Sequence, residues 1–142
     1  MWIVTRDSLL RPIPWLASFN IDEGQIDAEH RDLIGALNDA CAVAGRRPQA
    51  LELRLGELDL GGMLLSHFAT EESLFSHIAY PDALSHRREH DHLRWLFTPL
   101  LSAAGQRGGL APVLHRARTA LVEHMIRHDL GYKSHYLYRA GR

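Results

Sequence analysis

Beyond residue 20, apolar side chains recur every three or four positions, which is the period of an α-helix. Ile26, Leu33, Ile34 and Leu37 carry the first stripe, which runs out near Gly45, Arg46, Arg47 and Pro48. Leu51, Leu55, Leu58, Met63, Leu64, Phe68 and Phe75 carry a second. Gly61 and Gly62 weaken it locally, since glycine costs about 1 kcal/mol against alanine inside a helix. Tyr80–Pro81–Asp82 makes a turn, and Pro81 or Asp82 can start a third helix through His86, His90, Leu93, Leu96 and Leu100. Pro99 stands near its end, and Gly105, Gly108 and Gly109 form the loop that follows. A fourth helix starts near Pro112 and carries Val113, Leu114, Ala117, Leu121 and Met125. Gly131 is expected to end it, leaving a polar aromatic tail. Ahead of the helices, Pro12 and Pro14 lie between Trp2 and Trp15, and each steers the residue before it away from helix.

The prediction is an all-α fold: an antiparallel up-down-up-down four-helix bundle with an extended N-terminal arm. Residues 1–142 read as a single domain, with the arm over 1–19, the bundle over 20–132 and a C-terminal tail over 133–142. No stretch alternates as a strand would, and there is no internal repeat.

The totals narrow the function. A chain of 142 residues suffices for one core and is short for two. A formal net charge of −1 provides no basic field for nucleic acid or an anionic membrane. The single Cys41 allows neither an internal disulfide nor a cysteine-based metal cluster, and among alanines and valine it reads as a small core residue. There is no apolar N-terminal run, hence no signal peptide, no transmembrane helix, and the cytoplasm as the expected location. The unusual count is histidine, at 10, so the question becomes what those imidazoles do.

Residues four apart on a helix share a face. His67 and Glu71 are so spaced, as are His86 and His90. His30 borders the apolar stripe of the first helix, and the fourth supplies His124, His128 and Asp129. One such pair is ordinary on a wet helix face, but here every helix contributes, and metal sites in bundles form where facing helices aim side chains inward. Other chemistries lack their motifs: there is no HExxH, no GxSxG and no P-loop. The ferritin-like di-iron pattern needs two Glu-x-x-His motifs, and only Glu89–His92 has that spacing.

The residues W15-x3-F19, I26-D27-x2-H30-x2-L33, H67-F68-x2-E71-E72, Y80-P81-x4-H86-x3-H90 and H124-x4-D129-x2-Y132 resemble the hemerythrin family in its single-domain bacterial form. The likeness runs from Trp15 to Tyr132. It implies a non-haem di-iron site with seven ligands. His86, His90 and His124 would serve one iron, His30 and His67 the other, and Glu71 and Asp129 would bridge the two beside an oxo or hydroxo group. One coordination place would remain for dioxygen, in an apolar lining of Leu33, Phe68, Phe75, Leu121 and Met125. His77, His92, His115, His128 and His135 would stay outside the ligand set. Tyr132 would stand near the bridging end or pack there.

Three features depart from simple expectation. His124 and Asp129 are five apart, about 140° round an ideal helix, while His128 is four from His124. Asp129 is kept because His128 would leave the metals one carboxylate short. The family often has glycine where Asp22 stands, which implies a differently shaped start to the first helix. It commonly has tryptophan where Ala120 stands, which implies a more open wall. The implied function is reversible dioxygen binding for transport, storage or delivery. The alternatives are a module that senses oxygen, nitric oxide or redox state, an enzyme that detoxifies peroxide or nitric oxide, and a protein of metal storage or detoxification.

Overall fold

The structure, a computed structural model, describes residues 11–102 and 109–139. The part of the predicted arm before residue 11, with Trp2, and the loop residues Gly105 and Gly108 lie outside that range. Every regular element among the described residues is helical. Among them six α-helices run in chain order: α1 Gly24–Arg46, α2 Leu51–Leu58, α3 Leu60–His77, α4 Ala83–Ser102, α5 Ala111–His124 and α6 Leu130–Arg139. A π-helical turn, Met125–Asp129, joins α5 to α6 without a break.

Residues 12–16 are without regular structure, as their prolines dictate, and end in the 3₁₀ turn Ala17–Phe19. Trp15 packs edge-on against the buried Phe19. Asp22 then adopts φ 65°, the left-handed conformation that glycine takes most easily and aspartate tolerates. This is how the chain starts α1 with aspartate where a glycine was expected. The Glu23 carboxylate caps the helix by accepting from the Ile26 amide at 2.7 Å.

The predicted second helix is two helices. The break falls at Asp59, φ 51°, two residues before the Gly61–Gly62 pair. Asp59 accepts from the Gly62 amide at 3.2 Å and so caps α3. A Cβ on Gly62 would come within 2.4 Å of the Asp59 carboxylate, so the glycine permits the cap. Arg54 holds α2 against α1 through Asp39, with Nε donating to Oδ1 at 2.8 Å.

The predicted end at Gly131 is also corrected: α6 carries the helix on to Arg139. Tyr132 and Tyr136, four apart, give α6 an aromatic face that packs with Phe75 and Tyr80. That packing outweighs the glycine's modest cost.

The long segments make a closed set of neighbours: α1 lies against α3, α3 against α4, α4 against α5, and α5 against α1. Their facing stripes form one apolar cluster that includes Leu33, Leu37, Leu64, Phe68, Leu93, Phe97, Leu114 and Leu121. Each such side chain contributes about 1.5–3 kcal/mol on burial. A smaller cluster of Ile21, Ile26, Phe75 and Tyr132 forms separately. No helix among the described residues is long and apolar enough to cross a membrane.

Candidate metal centre

Among the described residues, eight buried side chains are polar or charged. Seven of them are His30, His67, Glu71, His86, His90, His124 and Asp129, each at most 3% exposed. α1 supplies His30, α3 supplies His67 and Glu71, and α4 supplies His86 and His90. His124 is the last residue of α5, and Asp129 the last of the π turn.

The π turn resolves the awkward spacing. Its hydrogen bonds close from i to i+5, as the Leu130 amide does to the Met125 carbonyl, so residues five apart come onto one face. Asp129 Oδ1 consequently lies 2.9 Å from His124 Nε2. His128 turns outward to Glu89, 3.0 Å away, and is not among the converging groups.

The seven residues form two overlapping groups. Glu71, His86, His90, His124 and Asp129 offer ligand atoms within 4.8 Å of one another, and so do His30, His67, Glu71 and Asp129. Both carboxylates belong to both groups. Asp129 Oδ2 is 3.0 Å from His30 Nε2, and its Oδ1 is 2.9 Å from His86 Nε2. Glu71 Oε1 is 3.2 Å from His67 Nε2 and 3.0 Å from His90 Nε2.

Several of these short distances are not hydrogen bonds. The Nε2 atoms of His30, His67, His86 and His124, and both Asp129 oxygens, lack a partner of hydrogen-bonding geometry. Buried polar groups are rarely left so. Lone pairs that converge on shared points without facing donors are what a metal cation satisfies. Imidazole with carboxylate suits divalent iron, zinc or manganese. The donor set therefore fits a metal.

Outer partners fix two of the rings. His67 Nδ1 is 2.9 Å from Glu29 Oε1, and Glu29 is itself held by the Thr70 hydroxyl at 2.9 Å. His90 Nδ1 is 2.8 Å from Glu72 Oε2. A carboxylate behind a histidine orients it and raises its basicity as a ligand. The Tyr132 hydroxyl donates to Glu71 Oε2 at 2.5 Å, which occupies the carboxylate oxygen turned away from His67 and His90. The sequence assigns no role to Glu29 or Glu72, although Glu72 stands in one of the motifs, because each reaches a histidine on another helix. Their places, beside His30 and Glu71, were the available signal.

The electrostatics of the metal-free cluster follow from the same contacts. Burial would raise the Glu71 carboxyl, but the His67 charge and the close approach of the His67, His86 and His90 rings hold it well below the usual carboxylate range. Burial and the Glu71 charge push Asp129 up, and His124 and His30 outweigh them. Burial lowers His67, yet Glu71 and Glu29 carry it up to about 10. His86, likewise opposed by burial, is raised to about 9 by Asp129 and Glu71. Burial, then the charges of Glu71 and Asp129, push the Tyr132 hydroxyl far up, so it remains a donor.

The five residues expected to line an apolar pocket are all buried, but not together. Leu33, Phe68, Leu121 and Met125 belong to the large cluster, and Phe75 to the small one. Phe68 stacks on His90 with ring centres 4.0 Å apart, whereas Phe75 meets His86 edge-on at 4.6 Å. Ala120 is half-buried on the wall of a cleft of about 140 Å³ that reaches His124.

The Hemerythrin HHE cation binding domain family matches residues 23–134, which include both groups. Hemerythrin-like proteins of Naegleria gruberi and Naegleria fowleri are each 29% identical over 80 residues, covering 56% of this chain and 61% of the relative. The chain thus spans about three fifths of the length of these curated relatives. With the family match extending over most of the chain, and over every residue of the buried histidine and carboxylate cluster, the chain belongs to the hemerythrin family.

Proposed function

We propose that this chain binds two iron ions and uses them to bind dioxygen reversibly, as a carrier, store or delivery protein. The observation that supports it most is that Glu71 and Asp129 belong to both ligand groups. Two carboxylates common to two sets of histidines are the arrangement that bridges a pair of metals. His86, His90 and His124 would hold one iron, and His30 and His67 the other. Counting Glu71 and Asp129 in both groups, the histidine set of the second iron would be one ligand smaller, which would leave room for a small ligand.

Charge supports the pairing. Two ferrous ions bring four positive charges into the interior, which neutral imidazoles do not offset. Glu71 and Asp129 would supply two negative ones, and a hydroxide bound with the metals a third. When bound, the iron pair supplies the two electrons that dioxygen takes up on binding. The chain does the rest. Glu29 and Glu72 orient His67 and His90, and Tyr132 fixes Glu71. Leu33, Phe68, Leu121 and Met125 form the dry wall that keeps water and anions from the irons. The closed set of neighbours among α1, α3, α4 and α5 supports the antiparallel up-down-up-down bundle as its frame.

The test is to cycle the ferrous protein between air and argon in a spectrophotometer. Ligand-to-iron charge-transfer bands that appear and vanish repeatedly support a carrier. Rapid irreversible oxidation with turnover of peroxide or nitric oxide moves the protein to the detoxifying enzymes.

A further inference from the structure

Three residues that the sequence singles out find no use in the buried centre: Glu89 and His92, a Glu-x-x-His without a counterpart, and His128. The fold brings them together. The π turn that carries Asp129 inward leaves His128 turned outward, its Nε2 3.0 Å from Glu89 Oε1 on α4. Glu89 and His92 are three apart on that helix and share a face. Here lies the cleft of about 140 Å³, walled by Glu89, His92, Ala120, Glu123 and His128. Arg127, also on its wall, offsets one of the two carboxylate charges.

The cleft also touches His124, which is 3% exposed and has both ring nitrogens without a hydrogen-bond partner. The His128 ring stacks on that of His124, centres 5.5 Å apart. Ligand-type side chains therefore run without interruption from the surface to the buried group: Glu89, His128, His124. Among the described residues only the two inner groups gather three or more ligand atoms within 4.8 Å. An ion in the cleft would have Glu89, His128 and water, a weak and quickly exchanging set. Weak binding suits passage rather than storage.

The geometry points to an outer cation site at Glu89 and His128, a port through which a divalent metal ion reaches and leaves the buried centre. It rests on the inner groups holding metal. Ala120 keeps the port open because it adds no bulk, and Glu123 and His92 add ligand-type groups along its wall.

The test uses the full chain stripped of metal, with ferrous iron under argon as the probe and uptake followed by stopped flow with a chelator quench. In the double variant Glu89→Gln, His128→Gln, uptake should slow at least about tenfold, the low end of what charge steering adds to an on-rate. The iron finally held per chain should equal that of the wild type. Ala120→Phe should slow uptake by bulk alone, with every charge intact. His77→Gln, on a different cleft, should not change it. Wild-type uptake should also slow as salt is added. Uptake at the wild-type rate in the double variant and in Ala120→Phe overturns the port. So does a loss of final iron in the double variant with helix content intact by circular dichroism, since those residues would then hold the centre itself. If the double variant unfolds, Ala120→Phe carries the test. A wild-type chain that takes up no iron overturns the port together with the metal centre on which it rests.

Discussion

His86, His90 and His124 come from adjacent segments, α4 and the end of α5, and two surface clefts touch them, one at His124 and one of about 270 Å³ at His86. His30 and His67 come from α1 and α3, are 0% and 1% exposed, and line neither of those clefts. The cleft beside Thr70, on the α1–α3 side, includes neither of them. The half with more histidines is thus the half that these two clefts reach. The half with fewer, where a small ligand would find its position, lines none of the three. Ligand number and access are set separately: the first by which helix residues face inward, the second by what lies behind them. In the three-histidine half what lies behind is Ala120, Glu89 and His128. In the other it is Glu29, Thr70 and apolar packing such as Leu33, one turn from His30.

The largest effect is expected where the halves join. Glu71→Ala removes a carboxylate common to both, and should abolish paired metal binding, whereas His77→Ala should leave the metal content unchanged. Metal analysis on the two purified variants decides this. Equal losses would mean that Glu71 joins nothing.

The next effect separates the halves. Glu29→Gln removes the carboxylate behind His67 and Glu72→Gln the one behind His90. Loss of such an outer partner typically weakens metal affinity about 10- to 100-fold. Glu29→Gln should weaken only one of two binding steps in a competitive chelator titration, and by more than Glu72→Gln, because its half has fewer ligands to share the loss. Identical titration curves for the two variants would erase the distinction.

A smaller effect depends on pH. In the metal-free chain His67 is raised to about 10 and His86 to about 9, both above the ordinary 6.5. A group whose folded value is raised stabilises the fold fully below its unfolded value and loses that contribution as pH climbs through the folded one. Stripped protein should therefore melt at a lower temperature at pH 10 than at pH 7. Loaded protein should lose less, since the metal takes the place of those protons. Calorimetry at both pH values tests this, and loading near pH 7 should release protons. A melting temperature of the stripped protein that rises from pH 7 to pH 10 would contradict it.

The smallest expected effect is a near-null result. Deleting Ile126, half exposed in the π turn, puts Asp129 four after His124 and allows an ordinary α-helix there. Both residues stay on one face, so metal content should hold near the wild-type level. Loss of metal would show that the wider turn does more than correct a spacing.

The same turn shows what the sequence could and could not convey. Helical periodicity exposed α1, α4 and α5, because their inward stripes are long and regular. It missed the break at Asp59, where one side chain caps the next helix over a glycine. It stopped the last helix at Gly131, because the aromatic pair Tyr132 and Tyr136 finds its partners, Phe75 and Tyr80, only in the folded chain. The seven residues that converge were named on resemblance. Spacing alone explained His67 with Glu71 and His86 with His90. It argued against Asp129, since an α-helix puts His128 nearer the face of His124. The π turn reverses that preference. Glu29 and Glu72 act between helices, where a pattern read along one helix carries no information.

The most direct measurement is the number of iron ions held tightly per chain, by elemental analysis of protein loaded with ferrous iron under argon and dialysed free of excess. Because Glu71 and Asp129 complete both groups, the expected result is two. A value of one, or none, would contradict a paired centre.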